Sequence, residues 1–183
     1  MAIFLITAPS GAGKTTVSHN LANRGIWKEC ISHTTRPIRN GEVEGKTYYY
    51  VSKEKFEQMQ EADLMAETVT YDGNMYGVSK LEISRVEKLS KHLFIIVEHE
   101  GYKQVKAQYP EAIGIFLYMS KEDCLANMLL RGDKMESAMK RIEMYDSEMK
   151  NSIEYDYVIK NKRMAFTNTC NIVSNIVSSY SIQ

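Results

Sequence analysis

Three short apolar runs mark the chain: Ile3–Thr7, Leu93–Val97 and Ile113–Tyr118. Runs this brief and this uniformly apolar suit strands buried on both faces of a parallel sheet. Each is followed by a segment with helical spacing. Lys14–Asn23 is expected as helix after the first run and Tyr102–Gln108 after the second. After the third, Ser120 is placed to cap a helix running toward Leu130, and Met135–Asn151 continues helical beyond a break at Gly132. Tyr157–Ile159 reads as a last short strand and Cys30–Ser32 as another. Phe166, Cys170, Val173, Val177 and Tyr180 recur at four and three residues, which predicts an amphipathic C-terminal helix.

Between the first helix and Ser79 the pattern changes. His33–Thr47 is polar, basic and turn-forming, and Tyr48–Val51 is β-like. Ser52 is a candidate N-cap for a helix over Lys53–Glu61. Leu64–Tyr71 reads as extended, and Asp72-Gly73-Asn74 turns the chain. Ser79-Lys-Leu-Glu82 has the spacing of a capping box and opens a helix to about Ser90. Apolar strands separated by helices predict an α/β class, a parallel-sheet core with helices on both faces and a smaller mixed lobe inserted before Ser79.

Composition narrows the partners. At 183 residues the chain suits one core domain. Its 23 basic and 23 acidic side chains balance, so neither a nucleic-acid nor a membrane surface is indicated. No apolar stretch approaches the ~20 residues of a membrane span. Met1-Ala2-Ile3 lacks the basic start of a secretory signal. Cys30, Cys124 and Cys170 are odd in number and scattered, which fits a reducing, cytoplasmic setting.

The candidate chemistry begins at Ala8-Pro-Ser-Gly-Ala-Gly-Lys-Thr15, which lies between the first strand and the first helix. Strand, glycine-rich turn and helix in that order build a phosphate cradle, with main-chain N–H groups pointing inward at the positive end of the helix dipole. The core is thus expected to be a P-loop fold. Ser10, Gly11, Ala12, Gly13, Lys14, Thr15 and Thr16 would surround the phosphates of a nucleotide, with Lys14 at the β/γ-phosphates and the Thr15 hydroxyl on Mg²⁺. Ala8 stands where the strict pattern has Gly.

Four of the seven arginines sit where anions are expected: Arg36 and Arg39 in the polar insertion, Arg131 and Arg141 around the late helical break. Guanidinium groups grip phosphate oxygens bidentately and stay charged. Tyr48 and Tyr76 lie beside turns in the inserted lobe, where a phenol either donates to phosphate or packs its ring. Glu67 sits in an otherwise neutral strand. A carboxylate there would suit guanine, whose N1–H and exocyclic amine are adjacent donors; an exposed edge-strand face is the alternative. Glu98-His99-Glu100 follows the second apolar strand, at the carboxyl edge where open α/β sheets bind ligands. Successive extended residues point to opposite faces, which argues against three metal ligands converging there.

With these residues in view, the chain resembles the guanylate kinase family over nearly its whole length. The likeness rests on residues 8–15, Ser-His-Thr-Thr-Arg at 32–36, Arg39, Gly-Glu-Val-Glu-Gly-Lys at 41–46 and Tyr48. It continues through Glu67, Gly-Asn-Met-Tyr-Gly at 73–77 and Tyr-Asp-Tyr-Val-Ile-Lys-Asn at 155–161. The resemblance implies one domain divided into a core (1–31, 81–126 and 145–183), a nucleoside-monophosphate-binding lobe (32–80) and a short helical lid (127–144). It implies ATP and GMP or dGMP as substrates, with Mg²⁺, in a monomer or homodimer.

By residue, Arg36, Arg39, Tyr48 and Tyr76 would hold the acceptor's phosphate, with Gly77 beside them. Ser32 and Glu67 would read the base. Lys14, Arg39, Arg131 and Arg141 would stabilise the transferring group, and Asn161 would border the adenine. Three positions depart from the family pattern. Val78 stands where Ser or Thr usually follows Tyr-Gly; Ile96-Val97-Glu98 replaces Asp-x-Asp; Asn127 replaces a lid arginine. Val78 and Glu98 touch the expected base pocket, so a kinase with shifted or broadened base preference stays open beside GMP. So do an inert binding module of the same fold and, less favoured by Glu67, a kinase of a phosphorylated sugar.

Overall fold

The computed structural model describes residues 2–71 and 73–181. Met1, Asp72, Ile182 and Gln183 lie outside the described residues, so the expected turn at 72–74 is described only from Gly73 onward.

The expected core strands form, as β1 (Ala2–Thr7), β7 (His92–Ile96), β8 (Ile113–Tyr118) and β9 (Tyr157–Lys160). Together with β2 (Lys28–Glu29) they make a five-stranded sheet in the order β2-β7-β1-β8-β9, parallel throughout. Alternate side chains of β1 feed two cores. Phe4 and Ile6 join Trp27, Ile115 and the C-terminal helix on one face, while Ile3 and Leu5 join Ile83, Leu93 and Val105 on the other. Burial on both faces explains why these strands read as unbroken apolar runs.

The helices are α1 (Lys14–Asn23), α2 (Lys53–Glu61), α3 (Lys80–Glu87), α4 (His99–Gln108), α5 (Lys121–Leu130), α6 (Met135–Glu143), α7 (Tyr145–Lys150) and α8 (Phe166–Ser179). All three anticipated serine caps are made. Ser52, Ser79 and Ser120 accept the main-chain N–H of Lys55, Glu82 and Asp123 at 3.1, 3.1 and 3.2 Å. The capping box at Ser79 is only half used. Instead of returning to Ser79, the buried Glu82 carboxylate accepts from Ile31 N–H, the Tyr49 hydroxyl and Arg85.

A second sheet, in the order β4-β3-β6-β5, contains β3 (His33–Thr34), β4 (Tyr49–Tyr50), β5 (Met65–Tyr71) and β6 (Asn74–Ser79). It has its own small core of Phe56, Met59 and Met65. A register shift between Met65 and Glu67 interrupts the β5–β6 pairing.

Three expectations need correction, and one strand was not expected. The strand expected at Cys30–Ser32 lies earlier, at Lys28–Glu29: Cys30 N–H still reaches Phe94 O, but Ile31 N–H turns away to Glu82. The strand at 74–79 escaped notice because its polar and glycine residues imitate a loop. Helix α4 begins at His99 rather than Tyr102, since Tyr102 N–H already bonds Glu98 O at 2.9 Å. The expected helix over 135–151 is broken at Met144, where Met144 N–H and Ser147 N–H take three-residue bonds to Arg141 O and Met144 O.

Ser120→Ala should cost about 1 kcal/mol of stability through loss of the α5 cap, read as a lower urea midpoint with an unchanged slope.

Candidate active site

The loop at 8–15 crosses the carboxyl edge of the sheet between β1 and α1. Gly11 and Gly13 both take left-handed φ, at 84° and 87°. Gly11 also has no room for a side chain: a Cβ there would lie 2.3 Å from the main-chain oxygen of Cys124. Two asparagines hold the loop from outside. Asn127 Nδ2 donates to Gly11 O at 2.8 Å, and Asn161 Nδ2 donates to Ala12 O at 2.9 Å. Asn161 is buried and its Oδ1 has no hydrogen-bond partner among the described residues. Within the loop, Ala12 N–H bonds Pro9 O at 3.0 Å.

Lys14 opens α1 and reaches Glu98 Oε1 at 2.6 Å. Thr15 and Thr16 stand exposed in the first turn, and the Thr15 hydroxyl carries no hydrogen bond among the described residues. A free hydroxyl at this end of the helix is a hard oxygen donor of the kind Mg²⁺ accepts, together with phosphate oxygens and water. No group of three or more His, Cys, Asp or Glu able to hold a metal occurs among the described residues. Mg²⁺ therefore fits only as an ion held largely by its nucleotide.

The Glu98-His99-Glu100 triplet diverges. Glu98 pairs with Lys14, the His99 ring faces the Tyr155 hydroxyl at 3.1 Å, and Glu100 pairs with Lys103 at 3.5 Å.

In the inserted lobe, Arg36 is buried, with its guanidinium 5.6 Å from the centre of the Tyr48 ring. Tyr48 and Tyr76 meet edge to face at 5.8 Å. Burial pushes the Tyr48 phenol above its usual range. Arg36 Nη2 is held by Glu42 at 2.6 Å, and the same carboxylate accepts Arg39 N–H at 2.7 Å and the Tyr50 hydroxyl at 2.8 Å. The Arg36 hydrogen bond, the largest favourable influence, holds the Glu42 carboxyl down at about 2. The Arg39 side chain is exposed and has no ion pair among the described residues. Ser32 lies just before β3, with its carbonyl accepting Tyr49 N–H.

Glu67 is 5% exposed. Its Oε1 accepts Val78 N–H at 2.9 Å. Burial, helped by the nearby Glu98 charge and opposed by that bond, raises its carboxyl to about 7. The exposed-face alternative for Glu67 is thereby overturned: β5 is an edge strand, but this side chain is buried. Val78 is fully buried, with its side chain in the core cluster that includes Ala66 and Ile83. It meets Glu67 through its backbone rather than through its side chain. Gly77, its neighbour, pairs with His33 and Thr68.

Around the helical break, Arg131 and Arg141 share Asp133, at 2.7 and 3.3 Å. Arg141 also donates to the Tyr71 hydroxyl at the tip of the lobe at 3.3 Å. Arg131 beside it keeps the Asp133 carboxyl below its usual range.

Three participants were not assigned from sequence: Glu42, Asp133 and Glu148. Glu42 stands in the Gly-Glu-Val segment, so its motif was visible while its partner was not. Glu148 has a buried Oε2 without a hydrogen bond among the described residues, and burial, with Glu98 adding to it, raises its carboxyl to about 7.

A glycine loop between the first strand of a parallel sheet and the following helix, in a chain that also carries arginines in an inserted lobe and at a helical break, marks a P-loop phosphotransferase. The family model "Guanylate kinase" matches residues 1–180. A guanylate kinase of Neisseria meningitidis serogroup A is 37% identical over 166 residues, covering 89% of this chain and 81% of that one. One from Wigglesworthia glossinidia brevipalpis is 35% identical over 181 residues, covering 96% and 86%. The crystal structure of guanylate kinase from Anaplasma phagocytophilum superposes with a TM-score of 0.77 at 25% identity, covering 100% of this chain and 87% of that one. The chain belongs to the guanylate kinase family, and so to the nucleoside monophosphate kinases.

Gly11→Ala should cost more than about 2 kcal/mol, since it combines left-handed backbone strain with a main-chain clash, and should lower the denaturation midpoint accordingly.

Proposed function

We propose that this chain transfers the γ-phosphoryl group of ATP to GMP or dGMP, giving ADP and the nucleoside diphosphate. The observation that carries the reading is the inward-facing Glu67 carboxylate. It spends one oxygen on Val78 N–H and sits in the lobe whose arginines and tyrosines suit a phosphate. A guanine edge offers two adjacent donors to such a group.

In this reading Ser10–Thr16 receive the ATP phosphates and Asn161 borders the adenine. Arg36, Arg39, Tyr48 and Tyr76 hold the acceptor's phosphate, with Gly77 and Val78 contributing backbone and Ser32 and Glu67 reading the base. Arg131 and Arg141 approach the moving phosphoryl group from the lid, and Lys14 from the loop. Mg²⁺ bound with ATP at Thr15 would draw charge from the phosphates. Phosphoryl transfer depends mainly on positioning and charge stabilisation, and an anionic phosphate acceptor needs no general base. Closing lobe and lid would exclude water from the transfer.

Of the two departures at the expected base pocket, Val78 gives little ground for an altered base preference. With the Val78 side chain in the core, the absent hydroxyl does not by itself argue for another base. Asn127 has a role of its own in tying back Gly11 O. The whole glycine loop favours catalysis over an inert binding module. Cytoplasmic residence fits the three free, buried cysteines. No helix among the described residues is long and apolar enough to cross a membrane.

ADP release with ATP, Mg²⁺ and a panel of nucleoside monophosphates tests the assignment; a best acceptor other than GMP or dGMP would overturn it. Lys14→Ala should abolish turnover. Arg39→Ala should reduce kcat/KM for GMP about 100-fold while leaving the ATP KM within about twofold. Below pH 7 the Glu67 carboxyl holds a proton and offers guanine one acceptor fewer, so kcat/KM for GMP should fall as pH drops through about 7. That inflection should be missing in Glu67→Gln.

A further inference from the structure

β5 ends the second sheet, so one of its edges has no strand partner. An open edge leaves N–H and C=O groups unpaired. Here helix α4 of the core supplies the missing partners with two glutamine side chains. Gln104 Oε1 accepts Thr68 N–H at 2.8 Å, and its Nε2 donates to Thr68 O at 2.9 Å. Gln108 Nε2 donates to Ala66 O at 2.8 Å. A carboxamide carries a donor and an acceptor in one plane, so Gln104 completes Thr68 as a neighbouring strand would. The two residues anchored in this way stand on either side of Glu67.

The same helix makes room for the carboxylate itself. A Cβ at Gly101 would come 2.8 Å from Glu67 Oε2, so the helix backbone seats the acid where a side chain would expel it. Helix α4 is fixed to the core by Tyr102 and Val105, and Glu98 immediately precedes it. Ala66 of the strand packs in one core with Tyr102 and Val105 of the helix, but apolar contact does not fill the whole junction of strand and helix. A groove of about 410 Å³ runs between them, lined by Glu67, Thr68, Gln104 and Gln108 among others. The bulge between Met65 and Glu67 further loosens the β6 side of the strand. The glutamine bonds thus restrain the strand at Glu67 from the side opposite the β6 ladder, which pairs Glu67 with Val78.

We infer that Gln104 is a positioning residue for base recognition: its amide locks the main chain at Thr68 onto α4 and so holds the Glu67 carboxylate in register with the purine edge. This rests on the proposed reading of Glu67. A glutamine that merely covered an edge would affect stability alone. One that sets the register of Glu67 affects the discrimination between purines that differ at the atoms Glu67 reads. Inosine monophosphate lacks the exocyclic amine of GMP and reports on that contact.

The test compares kcat/KM for GMP and inosine monophosphate in Gln104→Met, which keeps length and loses both bonds. The GMP preference should fall about tenfold, carried by the GMP KM, while the ATP KM stays within about twofold. Gln104→Glu keeps the acceptor for Thr68 N–H and loses the donor, so it should show a smaller loss, about threefold. In a Glu67→Gln background, Gln104→Met should produce no further loss of preference. An unchanged preference in Gln104→Met, or an equal further loss without the Glu67 carboxylate, would overturn the positioning role. If Gln104→Met does not fold, Gln104→Glu supports the same comparison. If Glu67→Gln alone leaves the preference unchanged, the base-reading role of Glu67 is wrong and this inference falls with it. A loss in Glu67→Gln that Gln104→Met does not share sinks the inference alone.

Discussion

Cations held close together repel one another, and most of those proposed to receive phosphate are paired internally. Lys14 is held by Glu98 at 2.6 Å, Arg36 by Glu42 at 2.6 Å, and Arg131 and Arg141 together by Asp133. Each pair lowers the cost of keeping a charge partly out of water and fixes its side chain in advance. On the proposed reading, an arriving phosphate competes with a carboxylate of the same chain. Its binding free energy is then the difference between two ion pairs rather than the whole of one. The glycine loop is exempt, because its field comes from main-chain N–H groups that need no counter-charge. Arg39 is exempt for another reason: it is exposed, and water solvates it until the acceptor arrives.

The departures from the family pattern take on physical meaning in the same frame. Glu98 replaces a shorter acid and reaches across to Lys14. Asn127, in place of an arginine, ties Gly11 O back and helps aim the loop. The two asparagines that brace the loop come from α5 and from the segment just after β9, distant in sequence and joined only by the sheet order. The lobe is braced in a comparable way, through Glu82 at the α3 end and through Gln104 and Gln108 on α4.

How much of this was legible depends on how local the cause is. The buried strands, the serine caps and the glycine loop follow from side chains within a few residues of one another, so the sequence carries them. β6 was hidden because its residues suit a loop until β3 and β5 flank it. The broken helix at Met144 reflects bonds of a single turn, below the resolution of apolar spacing. Nothing near Gln104 in the chain marks its role, because its partner Thr68 is 36 residues away.

The order of apolar strands, helices and the phosphate loop determined the fold class and the kind of ligand, because period and turn chemistry act over short distances. Tertiary structure alone decided which acid meets which base, that Glu67 faces inward and Val78 the core, and that Arg36 rests on Glu42. Burial and long-range pairing arise only when segments far apart in the chain are packed together.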